Sequence, residues 1–256
     1  MRLRLFMVFT LLLQLVCIPG ISAEEGLDLD GMVKILKAAQ KLHGKPTPKA
    51  LTKKGGALDK GGYDPNEFLA LFPRLGIASG QVLDFVYDYQ ELGGHPVLYA
   101  RPSDQAAFPS FAEFKKIYPK RYFIGDASRY DPVYLGSIVA DGTPDGFLQL
   151  AIMVLIGEQF YIHWHAVYYM FLPILDQRTF DGVLGAYKKE EAEKGRTIDF
   201  RPRVTLEGDR ARVEYHVFNE WTGIKRIVWT VNRAFPHRLV SVEEKVLLPY
   251  KSPIQF

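Results

Sequence analysis

Four segments from residue 204 onwards alternate with turn sequences, and this pattern constrains the fold more than any other feature. The segments are Val204–Leu206, Arg212–Asn219, Ile224–Asn232 and Leu239–Leu247. Within the second segment apolar and polar residues alternate, which is typical of a strand with one buried face. Each short connection contains glycine or proline. The pattern predicts an antiparallel four-strand meander.

Helical patterns come earlier in the chain. Asp30 is placed to begin a helix and Gly44 to end it, while Asp64-Pro65 and Ser110 are typical starts of two short helices. A further helix is predicted over Phe180–Lys194. Helices combined with a meander predict an α+β fold: a mostly antiparallel sheet with N-terminal and mid-chain helices packed on one face. A cone-like curved sheet would suit this order.

The composition predicts how the chain is divided. Residues 24–44 are expected to form an N-terminal helix and residues 63–256 an α+β domain. Residues 45–62 between them are rich in lysine, glycine and proline, and this composition is typical of a flexible linker or long loop.

The middle of the chain is less clear. Val82–Tyr89 and Val97–Ala100 flank a glycine-containing turn and predict a β-hairpin. Residues 147–156 are apolar throughout and fit either a strand or a buried helix, because periodicity cannot separate the two. We expect strand there and also over Phe160–Tyr169, where aromatic and β-branched residues are frequent.

Residues 1–23 have the features of a secretory signal peptide. Arg2 and Arg4 precede a short apolar run, and Ala23 offers a small residue at the cleavage point. We therefore expect an exported protein, periplasmic or extracellular, with no stable membrane span after signal removal. An uncleaved anchor is the alternative. The single cysteine, Cys17, lies in this segment, so the mature chain would have no disulfide.

The charge balance argues against a nucleic-acid partner. The chain has 32 basic and 29 acidic residues, and removal of the signal would leave it nearly neutral. Nucleic-acid binding requires a concentrated basic surface, which this balance does not indicate.

The pair His163 and His165 suggests a metal site. Residues two apart on a strand share a face, and their Cα atoms are about 6.6 Å apart. Both imidazoles could then bind one zinc ion if a third ligand, such as His95 or His216, lay close. We favour the simpler interpretation, two histidines with ordinary hydrogen bonds, because a lone pair lacks the ligand cluster that zinc sites need. No cofactor is therefore expected, and zinc is the alternative.

Two carboxylates lie on the first hairpin strand, Asp84 and Asp88, and such a pair suggests a glycosidase. The distance between them argues against this interpretation. Four residues along a strand span about 13 Å, whereas the carboxylate pairs of glycosidases lie about 5–9.5 Å apart. We expect both side chains to be solvated, opposite the core face.

Aromatic residues give the remaining functional signal. Tyrosine and tryptophan combine an apolar ring with a polar tip, which suits the wall of a pocket for a small apolar or sugar-like ligand. The candidates for such a wall are Tyr87, Tyr89, Tyr161, Trp164 and Tyr168. Ordinary core packing is the more common role of such residues, since most large aromatic side chains contribute packing area rather than recognition.

These signals predict a non-enzymatic α+β protein that binds a small molecule or a partner through an aromatic-lined concavity. A metal-dependent hydrolase using His163 and His165 is the first alternative. A structural protein of the cell envelope, with the lysine-rich segment Lys45–Lys60 touching anionic lipid, is the second.

Overall fold

The computed structural model describes residues 22–23, 26–53, 60–90, 93–119, 132–164 and 170–250. Its helices are α1 (Leu29–His43), α2 (Pro65–Leu69), α3 (Phe111–Ile117), α4 (Pro144–Ile156), α5 (Gln177–Asp181) and α6 (Lys189–Gly195). Its strands are β1 (Ser22–Ala23), β2 (Leu75–Ile77), β3 (Gln81–Gln90), β4 (Gly93–Pro102), β5 (Ile138–Ala140), β6 (His163–Trp164), β7 (Leu172–Ile174), β8 (Arg203–Glu207), β9 (Arg210–Asn219), β10 (Gly223–Asn232) and β11 (Leu239–Leu248).

The strands form antiparallel sheets, and the α+β class is confirmed. The main sheet has the order β1-β8-β9-β10-β11, with β7 also pairing with β9. The predicted meander is therefore present as β8 to β11. One row runs across it through Val213, Trp229 and Val242, which are direct cross-strand neighbours. Smaller sheets contain β3-β4-β6 and β2-β5.

Helix α4 lies at the centre of the core, and here the strand expectation for residues 147–156 is wrong. Thr143 begins the helix by accepting a hydrogen bond from the Gly146 N–H at 3.1 Å, and Pro144 occupies its first turn. Nearly every residue of α4 is buried. A helix covered on all sides has apolar residues on all sides, so no helical period appears in its sequence.

Helix α1 packs on the same core. Met32 and Ala39 are buried in one apolar cluster with Phe68 and Phe160. Its capping residue is Asp28 rather than the predicted Asp30, and Asp28 accepts a hydrogen bond from the Gly31 N–H at 2.8 Å. The apolar face of α1 thus joins the chain's main core.

The region predicted as the linker contributes to that core as well. Leu51 lies in a 3₁₀ turn, Lys49–Thr52, and is 3% exposed. Residues 54–59 lie outside the described part of the chain, and the division of the chain at residues 45–62 stays a prediction.

The helix expected over Phe180–Lys194 is interrupted. Helix α5 ends at Asp181 and is capped by Gly182, a 3₁₀ turn covers Leu184–Ala186, and α6 begins at Lys189. Glycine is a poor helix former, and it follows α5 as a C-cap. Phe180 of α5 packs in a second apolar cluster with Phe218. Because Phe218 and its neighbour Val217 point to opposite faces of β9, α5 covers part of the face opposite α4.

The predicted hairpin is present as β3 and β4, but the expectation that Asp84 is solvated is wrong. Asp84 is 3% exposed. It shares a face of β3 with Val86, and that face is covered by α3 through Phe114. Asp88, two residues further on the same face, keeps partial exposure.

The predicted signal segment is described only at its end. Ser22 and Ala23 pair with Thr205 and Val204 at the edge of the main sheet. Residues 1–21 lie outside the described part, so the signal peptide stays a prediction. Among the residues that the structure describes, no helix is long and apolar enough to cross a bilayer.

Candidate functional site

The structure places two of the predicted aromatic wall residues in the core. Tyr87 and Tyr161 are 8% and 2% exposed. The Tyr87 hydroxyl donates to the Tyr161 carbonyl at 2.9 Å, and the Tyr161 hydroxyl donates to the carbonyls of Lys60 and Gly61 at 3.0 and 2.8 Å. These hydroxyls therefore join the hairpin to the chain before α2.

The other wall candidates are described less fully. Tyr89 is half-buried and packs against the main core. The backbone of Trp164 lies in β6, while its side chain and Tyr168 lie outside the described part. The five residues remain a predicted wall.

The structure describes one of the two zinc candidates. His163 is exposed and lies in β6 opposite Gly94, and His165 lies outside the described residues. Within the described ranges no three metal-ligating side chains come together.

His95, a candidate third ligand, pairs its Nε2 with Asp88 Oδ2 at 3.9 Å. It lies on the face of β4 opposite that of Gly94. The second candidate third ligand, His216, lies on β9 with its Nδ1 3.3 Å from the Phe200 carbonyl. The zinc site stays a prediction.

A groove of about 200 Å³ lies between α1 and the chain that follows α4, and we call it the α1 groove. It is larger than the cavity of about 150 Å³ that holds benzene in an engineered protein core. Its walls are mainly apolar. They are formed by Val33, Leu36, Lys37, Ala39, Gln40 and His43 of α1, Ile156 and Gln159 at the end of α4, and Met170, Phe171, Leu172, Pro173 and Thr179.

His43 brings a polar ring into this apolar wall. It is the last residue of α1, and its ring lies 5.0 Å from Phe68, 6.0 Å from Tyr63 and 6.1 Å from Phe160. Its Nε2 is buried and has no hydrogen-bond partner among the described residues. Burial lowers the pKa of His43 to about 4, so the imidazole is neutral at pH 7.

Two other polar wall residues are already bonded within the protein. The Gln159 side chain donates to the Phe171 carbonyl at 3.2 Å and accepts from the Phe171 N–H at 3.1 Å. The Thr179 hydroxyl accepts from the N–H groups of Leu175 and Asp176 at 2.8 and 2.9 Å. Both residues hold the shape of the groove and have little hydrogen-bonding capacity left for a ligand.

The remaining polar groups of the groove wall lie at two different depths. Lys37 and Gln40 are exposed and lie at the rim of the groove. Among the described wall residues, His43 is the largely buried polar group whose Nε2 has no hydrogen-bond partner. The site therefore offers an apolar body, one neutral imidazole and a polar rim, which are typical of a small-molecule pocket.

Sequence reasoning missed the α1 groove, although one signal for His43 was present. His43 follows Ala39 by four residues and Met32 by eleven, so all three lie on one helical face. That spacing places His43 on the buried side of α1. Its partners across the groove come from residues 156–179, which no local pattern connects to α1.

The buried neutral imidazole predicts a pH dependence of stability. The unfolded pKa of His43 is about 6.5 and the folded pKa is about 4, so the unfolded state binds more protons between those values. The free energy of unfolding should therefore fall by up to about 3 kcal/mol as pH decreases from 7 to 4. In urea titrations the His43→Phe variant should lose less stability over this range than the wild type. The exposed His163→Ala variant should follow the wild type, and an equal pH response of all three would contradict the assignment.

Comparisons with known proteins give no relative for this site. No protein-family model matches the chain, and neither the curated proteins nor the solved structures include a significant match.

Proposed function

We propose that this protein is a non-enzymatic binding module that holds a small, mainly apolar molecule in the α1 groove, with His43 as its polar anchor. One observation carries the proposal: the wall of an apolar groove holds a neutral imidazole whose buried Nε2 has no hydrogen-bond partner among the described residues. Interior polar groups are normally satisfied. A ligand that bonds the other ring nitrogen, Nδ1, would give this imidazole a hydrogen bond.

The position of His43 favours a ligand that donates a hydrogen bond. A neutral imidazole has one N–H donor and one acceptor nitrogen. Nε2 is buried without a partner among the described residues, and the ring is tilted by 34° from those of Phe68 and Phe160. We assign the proton to Nε2, which leaves Nδ1 as the acceptor. Because Nε2 is buried, Nδ1 is the nitrogen through which the ring would meet a groove ligand.

The size and walls of the groove suggest one substituted ring or a short chain. Its volume of about 200 Å³ exceeds that of a benzene-sized cavity by about a third. Burial of the apolar body would supply most of the affinity, and the hydrogen bond would supply orientation. Small phenols and aliphatic alcohols have this chemistry.

We further propose that the molecule acts outside the cytoplasm, on the strength of the signal-like residues 1–23. Protein recovered from an expressing cell should begin at Glu24, as measured by intact mass. A mature chain that keeps Met1 or Arg2 would refute this part of the proposal and leave the groove unaffected.

Isothermal titration calorimetry with three matched probes tests the binding proposal. Phenol can donate a hydrogen bond, anisole can only accept one, and toluene can do neither. We expect all three to bind, with phenol about 2- to 10-fold tighter than the others, since a hydrogen bond contributes about 0.5–1.5 kcal/mol. If none binds, the groove is not a ligand site.

The variant His43→Phe keeps a ring in the wall and removes its nitrogen atoms. It should bind toluene as well as the wild type does and lose the preference for phenol. His163→Phe is the matched control, because His163 is exposed and outside the groove, and it should keep that preference. A preference that survives His43→Phe would contradict the role of His43.

A further inference from the structure

The outer edge of the main sheet is formed by β11. This strand pairs with β10 on one side, and no strand of the described chain pairs with its other side. It is ten residues long and exposed from Glu243 to Val246. Long exposed edges are templates for pairing with another chain, and proteins usually block them with charges.

The charges on β11 are arranged as a self-complementary pair. When two copies of a strand pair antiparallel about a two-fold axis, the numbers of two opposed residues add up to the same sum along the whole strand. This sum is even, because opposed side chains lie on the same face of the sheet. When Glu244 faces its own copy, Glu243 faces Lys245 of the second copy, and the reverse pair forms as well. Shifting the register by two residues in one direction places Glu243 opposite the Glu243 of the second copy, and a shift in the other direction places Lys245 opposite Lys245. Like charges directly opposite each other destabilise the strand pair.

We propose that β11 is the docking edge for a second copy of this chain, paired antiparallel and centred on Glu244. In this register two Glu243–Lys245 ion pairs form between copies on one face of the joined sheet. On the other face each Val242 meets a Val246 of the second copy. Val246 is 48% exposed in the single chain, so pairing would cover apolar surface.

The residue at the centre of this register is already neutralised within its own chain. Glu244 Oε2 accepts a hydrogen bond from Lys225 Nζ at 2.8 Å. Its approach to the Glu244 of the second copy therefore brings together two ion pairs rather than two bare carboxylates. The regular stretch of β11 runs from Ser241 to Val246, between two irregularities in its pairing with β10.

The dimer should be weak and reversible. Six residues on each side bury far less than the roughly 1,600 Å² of a standard stable interface. Sedimentation equilibrium from about 10 to about 500 µM covers the range in which such small contacts associate. Wild-type protein should shift from monomer towards dimer across this range. A wild type that stays monomeric throughout would overturn the proposal.

Charge variants test the register. E243K places like positive charges opposite each other, and K245E places like negative charges opposite each other, so each variant alone should stay monomeric. An equimolar mixture of the two should associate, because each charge then faces its opposite. The double variant E243K/K245E should again form a dimer.

Two controls keep the result decisive. E207K changes charge on β8, away from this edge, and should dimerise as the wild type does. Near-ultraviolet circular dichroism should show the same tertiary signal in every variant, since residues 243 and 245 are exposed. Single variants that dimerise like the wild type, or a mixture that stays monomeric, would overturn the proposed register.

Discussion

Replacing Phe160 by alanine is expected to lower the free energy of unfolding by about 3–5 kcal/mol, the usual cost of truncating a fully buried phenylalanine. Phe160 is 0% exposed. Its ring stacks on Tyr63 at 3.6 Å and lies edge-on to Phe85 at 5.0 Å. Alanine would remove these contacts and leave a cavity where α1, the hairpin and the end of α4 meet. Urea denaturation followed by circular dichroism measures the change.

The matched control is Phe235→Ala. Phe235 is 48% exposed, so the same truncation should change stability by no more than about 0.5 kcal/mol. Equal losses for the two variants would show that the Phe160 ring is not buried in the core. A Phe160→Leu variant, which refills part of the cavity, should recover part of the loss.

Replacing Asp84 by alanine should cost about 2–4 kcal/mol. The carboxylate is buried and bonded to Lys60, to Arg101 Nε at 2.7 Å and to the Phe85 N–H at 2.8 Å. Its removal leaves two cations facing each other without their shared partner, and loss of one member of a buried ion pair typically costs about 3–5 kcal/mol. Lys60 and Arg101 keep partial exposure and can rehydrate, which reduces the loss.

Two further variants separate charge from hydrogen bonding at this position. Asp84→Asn keeps an acceptor for the Phe85 N–H but removes the charge, so its loss should be smaller than that of alanine. Asp104→Ala, an exposed carboxylate in the loop after β4, should change stability very little. If Asp84→Ala is as stable as Asp104→Ala, the ion-pair cluster contributes nothing to folding.

Sequence predicts well the strands in which apolar and polar residues alternate. In β9 the apolar Val213 and Tyr215 alternate with the polar Glu214, so period and turns define the strand. Helix N-caps are predicted equally well from the sequence. Asp64 accepts a hydrogen bond from the Asn66 N–H at 2.8 Å, and Ser110 accepts one from the Glu113 N–H at 3.3 Å. These bonds join residues two or three apart and need no knowledge of the rest of the fold.

The features that sequence misses depend on distant contacts. Helix α4 is enclosed by other elements and is therefore apolar on all sides. Its sequence for that reason shows no helical period of apolar and polar residues. Asp84 looks solvated until α3 covers its strand face. The α1 groove requires His43 and Phe171 to meet, although more than a hundred residues separate them. No local pattern encodes such an encounter.

The most direct test of the central claim is a crystal structure of the protein soaked with 4-bromophenol, with the bromine located by its anomalous signal. We expect a bromine peak inside the α1 groove and a phenol oxygen within about 2.6–3.2 Å of His43 Nδ1. The His43→Phe protein should lose that orientation of the ligand. A groove without bromine, with the probe bound only elsewhere or not at all, would contradict the claim that this groove is the ligand site.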